Sequence, residues 1–179
     1  RFHEVQTSHN LGIIPLTADG NGGPEYISLK KALGSGLLTV GEVSEGGSVP
    51  QLKVINSGDI PVLLLDGEEL SGAKQNRVLN TTILIAGHTE TVIPVSCTEH
   101  GRWSYRSKEF TDSDVIMYSR ARREKSRDVT TNLRESQGFR SNQGTVWDTI
   151  EEMRGAADVH APTGAMKDVF EQKAESLNE

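Results

Sequence analysis

Cysteine is almost absent from this chain: Cys97 is the single thiol in 179 residues. One thiol makes neither an internal disulfide nor a structural zinc site, which fits a reducing, cytoplasmic location. Neither half of the chain is basic. The net charge is −6 overall and −3 on either side of Phe110, which argues against a broad nucleic-acid surface. No apolar run approaches the length of a membrane span. The five histidines, His3, His9, His88, His100 and His160, are scattered, and only Cys97, Glu99 and His100 stand close, at a spacing that is not a zinc pattern. The chain has no glycine loop opening a helix, no G-x-S-x-G elbow and no H-E-x-x-H pair, so it names neither a metal nor a cofactor. Repeats and low-complexity tracts are also lacking.

What is present is a globular composition, 35% hydrophobic and 25% charged. Leu11–Leu16 reads as a short strand at a sheet edge because of Pro15, and Asp19–Pro24 as a turn cluster. Ser28 can cap a short helix that Gly34 ends. Strands are expected over Leu37–Val43, Val49–Ile55, Pro61–Leu65, Arg77–Ile85 and Glu90–Val95, broken by short glycine-bearing turns, which favours an antiparallel meander or sandwich. Beyond Trp103 the texture changes. Thr111–Arg140 is polar, and its basic run Arg120–Arg127 reads as a solvated helix face or a connector. Val146, Ile150, Met153 and Ala157 repeat at helical spacing behind Ser141 or Asn142 as cap, and Gln143 and Trp147 can look back toward the β part. Pro162-Thr163 opens a further helix with Met166, Val169 and Phe170 on its apolar face. Gln172–Glu179 reads as mid-helix without a stop signal, so the natural chain is expected to continue. Arg1 in place of Met leaves room for a removed leader or tag.

Two polar blocks end apolar runs and are expected at a sheet rim, where ligands reach side chains. The first is Leu65-Asp-Gly-Glu-Glu-Leu-Ser-Gly-Ala-Lys-Gln-Asn-Arg77. Strand alternation would send Asp66 and Glu68 to one side and Glu69 to the other, offering carboxylates to a cation, to hydroxyls or as a base. The plainer reading is a solvated strand end. Gln75, Asn76 and Arg77 add donors nearby, and Arg77 suits either an ion pair with Glu68 or Glu69 or a phosphate; Asn80 follows two residues after Val78. The second block is Cys97-Thr-Glu-His-Gly-Arg-Trp103. Cys97 beside His100 and Arg102 is a candidate nucleophile, although a buried inert thiol is the better reading. Glu99 and Arg102 form an acid–base pair, and Trp103 offers a flat face for a ring or a core contact.

These blocks, together with Pro94-Val-Ser-Cys-Thr-Glu-His-Gly-Arg-Trp103 and Gln143-Gly-Thr-Val-Trp-Asp-Thr-Ile150, resemble the ARG and rhodanese-phosphatase superfamily associated protein domain. The resemblance implies neighbours that handle ADP-ribose or NAD-derived nucleotides, without a settled activity. It also implies further strands past the last helix, hence a domain cut short at its C-terminal end.

The expected architecture is α+β: an N-terminal antiparallel β-sheet or sandwich over residues 1–105, then packed C-terminal helices over 106–179 of the same domain. The expected function is to bind or process a nucleotide or ADP-ribose-like ligand in NAD-related metabolism. Asp66, Glu68, Glu69, Gln75, Asn76, Arg77, Asn80, Glu99, Arg102 and Trp103 are the candidate binding residues, and Glu68, Glu69, Glu99 and Cys97 the candidate catalytic groups. The alternative is a non-catalytic interaction or structural module in which the polar blocks are ion pairs holding strand ends.

Overall fold

Alternation organises the β part as expected, and the computed structural model describes it over residues 1–18, 20 and 22–177. Asp19 and Asn21 of the expected turn cluster, and Asn178 and Glu179 of the terminal helical pattern, lie outside the described residues. A hairpin of β1 (Gln6–Ser8) and β2 (Leu11–Ile13) comes first, followed by β3 (Ile27–Ser28) and α1 (Leu29–Gly34). Ser28 caps α1, its hydroxyl accepting from the Lys31 amide. Next come β4 (Leu38–Glu42), β5 (Gln51–Asn56), β6 (Val62–Leu64), β7 (Glu68–Gly72) and β8 (Arg77–Leu79). The strands end with β9 (Ile83–Ile85), β10 (Thr89–Cys97) and β11 (Phe110–Ile116).

Six of these strands form an antiparallel sheet in the order β11-β7-β8-β10-β5-β4, and three form a second sheet, β3-β6-β9, whose β3–β6 pair is parallel. The large sheet curls until its two edge strands approach each other, making a half-barrel. Leu38 and Val40 of β4, Leu52 and Val54 of β5, Ile93 and Val95 of β10 and Leu79 of β8 fill its concave side, closed by Val62, Leu64 and Ile85 of the small sheet and by α1.

Helices cover the opposite face. They are α2 (Ser119–Arg134), α3 (Gln143–Ala157), α4 (Met166–Gln172) and α5 (Ala174–Leu177). Ala121, Val146, Ile150 and Met166 from the first three meet Val78, Val115 and Met117 in a second apolar cluster. The chain is therefore α+β, with antiparallel strands first and packed helices after them. Among the described residues no helix is long and apolar enough to cross a membrane.

Several boundaries differ from expectation for physical reasons. The acidic block is itself strand β7, because Glu69 is buried against polar partners instead of being solvated. Polar Phe110–Ile116 forms β11 beyond the expected boundary at residue 105, burying Phe110, Ser113 and Val115. The run Arg77–Ile85 splits at Asn80, so that β8 joins one sheet and β9 the other. The basic run belongs to α2. Pro162-Thr163 forms a turn, and α4 begins only at Met166. Asn142 is the cap of α3, accepting from the amides of Gly144 and Thr145.

Gly72 pins the β7–β11 register opposite Phe110, at φ +133°. A Cβ there would lie 2.6 Å from Ser107 Oγ and 2.8 Å from the Glu109 carbonyl. Gly72→Ala is expected to cost about 2–4 kcal/mol through backbone strain and overpacking. Chemical denaturation checks this; an unchanged midpoint would mean that the β7–β11 edge adapts freely.

Candidate functional site

The connection from β7 to β8 lacks enough strand pairing to satisfy its own backbone, and Arg102 satisfies it instead. Its guanidinium donates to the carbonyls of Ala73 (2.6 Å), Ser104 (2.8 Å) and Gly72 (3.2 Å), to Asn76 Oδ1 (3.3 Å) and to Glu99 Oε2 (2.6 Å). Glu99 is fully buried. Its Oε2 also accepts from the Asn76 amide at 3.2 Å, while Oε1 accepts from the Thr163 hydroxyl at 2.8 Å. Burial alone would raise the Glu99 pKa, but the Arg102 guanidinium, the Thr163 hydroxyl and the Asn76 amide outweigh it and hold the carboxyl below its ordinary value. Asn76 Oδ1 further accepts from Ser71 Oγ and the Gly72 amide. The structure thus brings Asn76, Glu99 and Arg102 into one closed network.

Arg77 points to the concave side, with Cys97 as its partner across the ladder. Its Nη1 donates to the Gln75 carbonyl (3.0 Å) and Gln75 Oε1 (3.3 Å), and its Nη2 lies 3.7 Å from Glu42 Oε1. Both Glu42 oxygens and the Nε and Nη2 of Arg77 are buried without hydrogen bonds. The ion-pair partner of Arg77 is thus Glu42, not Glu68 or Glu69. Burial pushes the Cys97 thiol up to about 11, Arg77 opposing and Glu42 adding to the shift. Such a thiol is almost wholly protonated near neutrality and makes a poor nucleophile. Outside this pair, Trp103 is half exposed, with the Arg77 guanidinium 5.7 Å and the Lys74 ammonium 5.3 Å from its ring centroid.

The acidic residues separate. Asp66 lies in a turn and pairs with the buried Lys125 of α2, which also donates to the Leu79 carbonyl at 2.9 Å. Glu68 accepts from the Leu65 amide at 2.7 Å. Burial raises its pKa, with that hydrogen bond opposing. Glu69, on the helix-covered face, accepts from the Thr98 hydroxyl and leaves its second oxygen without a hydrogen bond. Burial pushes Glu69 up to about 7, against hydroxyls of Thr98 and Ser113 and the Lys167 charge. Asn80 bonds Ser96 Oγ and the Phe139 carbonyl. Among the described residues no group of three or more His, Cys, Asp or Glu side chains is placed to hold a metal ion.

Two hollows flank this polar core. The larger, about 970 Å³, lies between β4–β5 and residues 105–109. Thr39, Gly41, Lys53 and Ile55 alternate with core residues to form one wall; Tyr105, Arg106 and Lys108 form the other, and Glu42 lines the cleft as well. Arg106 Nη2 stands 3.9 Å from Glu99 Oε1, connecting cleft and network. The smaller hollow, about 540 Å³, lies between α3 and the segments around His100 and Thr163. Of the expected residues none but Trp103 is exposed, and it neighbours Tyr105 through the shared Lys74. Lys53, Tyr105, Arg106 and Lys108 were not singled out in the sequence, since nothing in their spacing distinguishes them. Glu42 left a trace: it continues the inward series Leu38, Val40 as an acid at an apolar position.

A curled antiparallel half-barrel backed by helices and threaded by buried charge defines the class of this domain. The chain belongs to the ARG and Rhodanese-Phosphatase-superfamily-associated Protein domain family, which matches residues 1–179. The family name implies association with the ADP-ribosylglycohydrolase and rhodanese-phosphatase superfamilies. No curated protein and no solved structure matches the chain.

Arg77→Ala leaves the Glu42 carboxylate buried and unpaired and is expected to cost about 3–5 kcal/mol. Thermal and denaturant melts check this; near-parent stability would release Arg77 from a structural role. The raised Glu69 pKa predicts the sign of a pH effect. The folded state binds the extra proton, so this group's contribution is full below about 4.5, its unfolded value, and is lost as pH rises through about 7. Between those values the melting temperature of Glu69→Gln should fall less than the parent's; coincident profiles would refute the shift.

Proposed function

We propose that this domain binds or processes a nucleotide or ADP-ribose-like ligand in NAD-related metabolism, in the cleft between β4–β5 and residues 105–109. The observation that carries the reading is the lining of that cleft: Lys53, Arg106 and Lys108 beside Glu45 and Glu109, with half-exposed Tyr105 among them. Cations suit phosphate oxygens, carboxylates suit ribose hydroxyls, and an aromatic face suits a base. The volume falls within the roughly 300–1,000 Å³ common for small-ligand sites. In this reading Glu99 orients Arg106, while Gln75, Asn76, Arg77 and Arg102 hold the loop that carries Trp103 and Tyr105. Asp66, Glu68, Glu69 and Asn80 then support the fold from outside the cleft. A cytoplasmic location accords with the lone, buried Cys97.

A second reading, a non-catalytic interaction module, is favoured by the N-terminal arm. Phe2, Val5, Leu11, Ile13, Ile14 and Leu16 are all more than half exposed there.

Calorimetric titration of the full chain with ADP-ribose and with NAD, each with and without magnesium, separates the two. Binding is expected, and Arg106→Ala with Lys108→Ala should weaken it at least about tenfold, about 1.4 kcal/mol, at unchanged melting temperature. Absence of heat for both ligands at millimolar concentration removes the nucleotide reading and leaves the interaction module.

A further inference from the structure

The smaller hollow takes no part in the nucleotide reading, and its lining has a different chemistry. Edge-on packing of the His100 and Trp147 rings, centroids 4.3 Å apart at 63°, makes an aromatic wall. Exposed Asp148 and Glu151 supply acceptors one face over on α3, and Arg154 pairs with Glu151 through Nη1. Trp147 and Arg154, seven residues apart on α3, lie on one side of it. The indole N–H of Trp147 and the Nε–H of Arg154 are both buried and make no hydrogen bond. Donors so placed normally have acceptors.

The opposite wall is built for close approach. Gly101 donates its amide to the Thr163 carbonyl at 2.8 Å, and a Cβ on Gly101 would lie 3.0 Å from Thr163 Cα. Gly164, at φ +66°, passes Arg154 and His100, its Cβ position 3.7 Å from Arg154 Nη1. A side chain at Gly101 would press on the Thr163 backbone.

We propose that this hollow is a binding site for a small zwitterion of the α-amino-acid class. The ligand carboxylate accepts from the Trp147 indole N–H and the Arg154 guanidinium. Its ammonium donates to Asp148 and Glu151, with the His100–Trp147 wall against the side chain. With two carboxylates and one guanidinium, the lining carries one net negative charge when His100 is neutral, which suits a ligand bearing an ammonium. Thr163 lines the hollow while donating to Glu99, so the site adjoins the same buried network that positions Arg106.

The chain has two tryptophans, and therefore two indole N–H resonances in a ¹⁵N-labelled protein; Trp103→Phe identifies that of Trp147. The standard amino acids are added one at a time at millimolar concentration to the full chain. At least one should shift the Trp147 indole resonance saturably. Its methyl ester and its N-acetyl form, each lacking one charge, should bind at least roughly tenfold more weakly, as should Asp148→Asn and Arg154→Gln with the free amino acid. Asp148 is exposed, so its variant keeps the test valid should Arg154→Gln destabilise the fold. No shift with any amino acid overturns the proposal, as does equal affinity of both blocked forms or full affinity in Asp148→Asn. None of these outcomes depends on ADP-ribose or NAD, so the result stands apart from the calorimetry of the larger cleft.

Discussion

The fold depends on the Glu99–Arg102 pair and its partner Asn76. One guanidinium satisfies three backbone carbonyls between residues 72 and 104, and one carboxylate ties that turn to Thr163, far along the chain. A buried ion pair by itself contributes little, because desolvation opposes the Coulomb attraction. Here the charges are nearly saturated with hydrogen bonds, which is the condition under which burial is tolerated. Specificity of the β7–β8 connection follows: no apolar replacement could satisfy the carbonyls of Gly72, Ala73 and Ser104 together.

Glu42–Arg77 has the opposite character. Both groups are equally hidden from water, yet four of their polar atoms have no hydrogen bond. The nearly saturated pair belongs to architecture, whereas the under-satisfied one stands beside the larger cleft. Asp66–Lys125 is a third case, a buried ammonium anchoring α2 to the end of β8. Together these three pairs place charge on the concave side, at the turns and under the helices of the same curled sheet.

Much of this was legible in the sequence, and the misses have common causes. Strands β4, β5, β6 and β10 follow from alternation, and the Ser28 and Asn142 caps from residue type. Strand β7 was hidden because Glu69 occupies a fully buried strand position, a tertiary arrangement overriding local polarity. In β11, Thr111, Asp112 and Asp114 masked the inward Phe110, Ser113 and Val115. Of the two polar blocks, Asn76, Glu99 and Arg102 gather in one network, while Arg77 pairs with Glu42. What spacing could not reveal was that they turn inward, leaving Tyr105, Arg106 and His100 at the accessible surfaces.

Gln143 carries a consequence of its own. Its side-chain amide exchanges two hydrogen bonds of 2.8 Å with the backbone N–H and carbonyl of Cys97, as a neighbouring strand would. Strand β5 accompanies β10 only as far as Pro94, so the last residues of β10 would otherwise present a bare edge on that side. A single amide at the start of α3 acts there as a plug. It denies a foreign chain the foothold for sheet extension, so guarding against aggregation falls to a helix residue that forms no part of any strand.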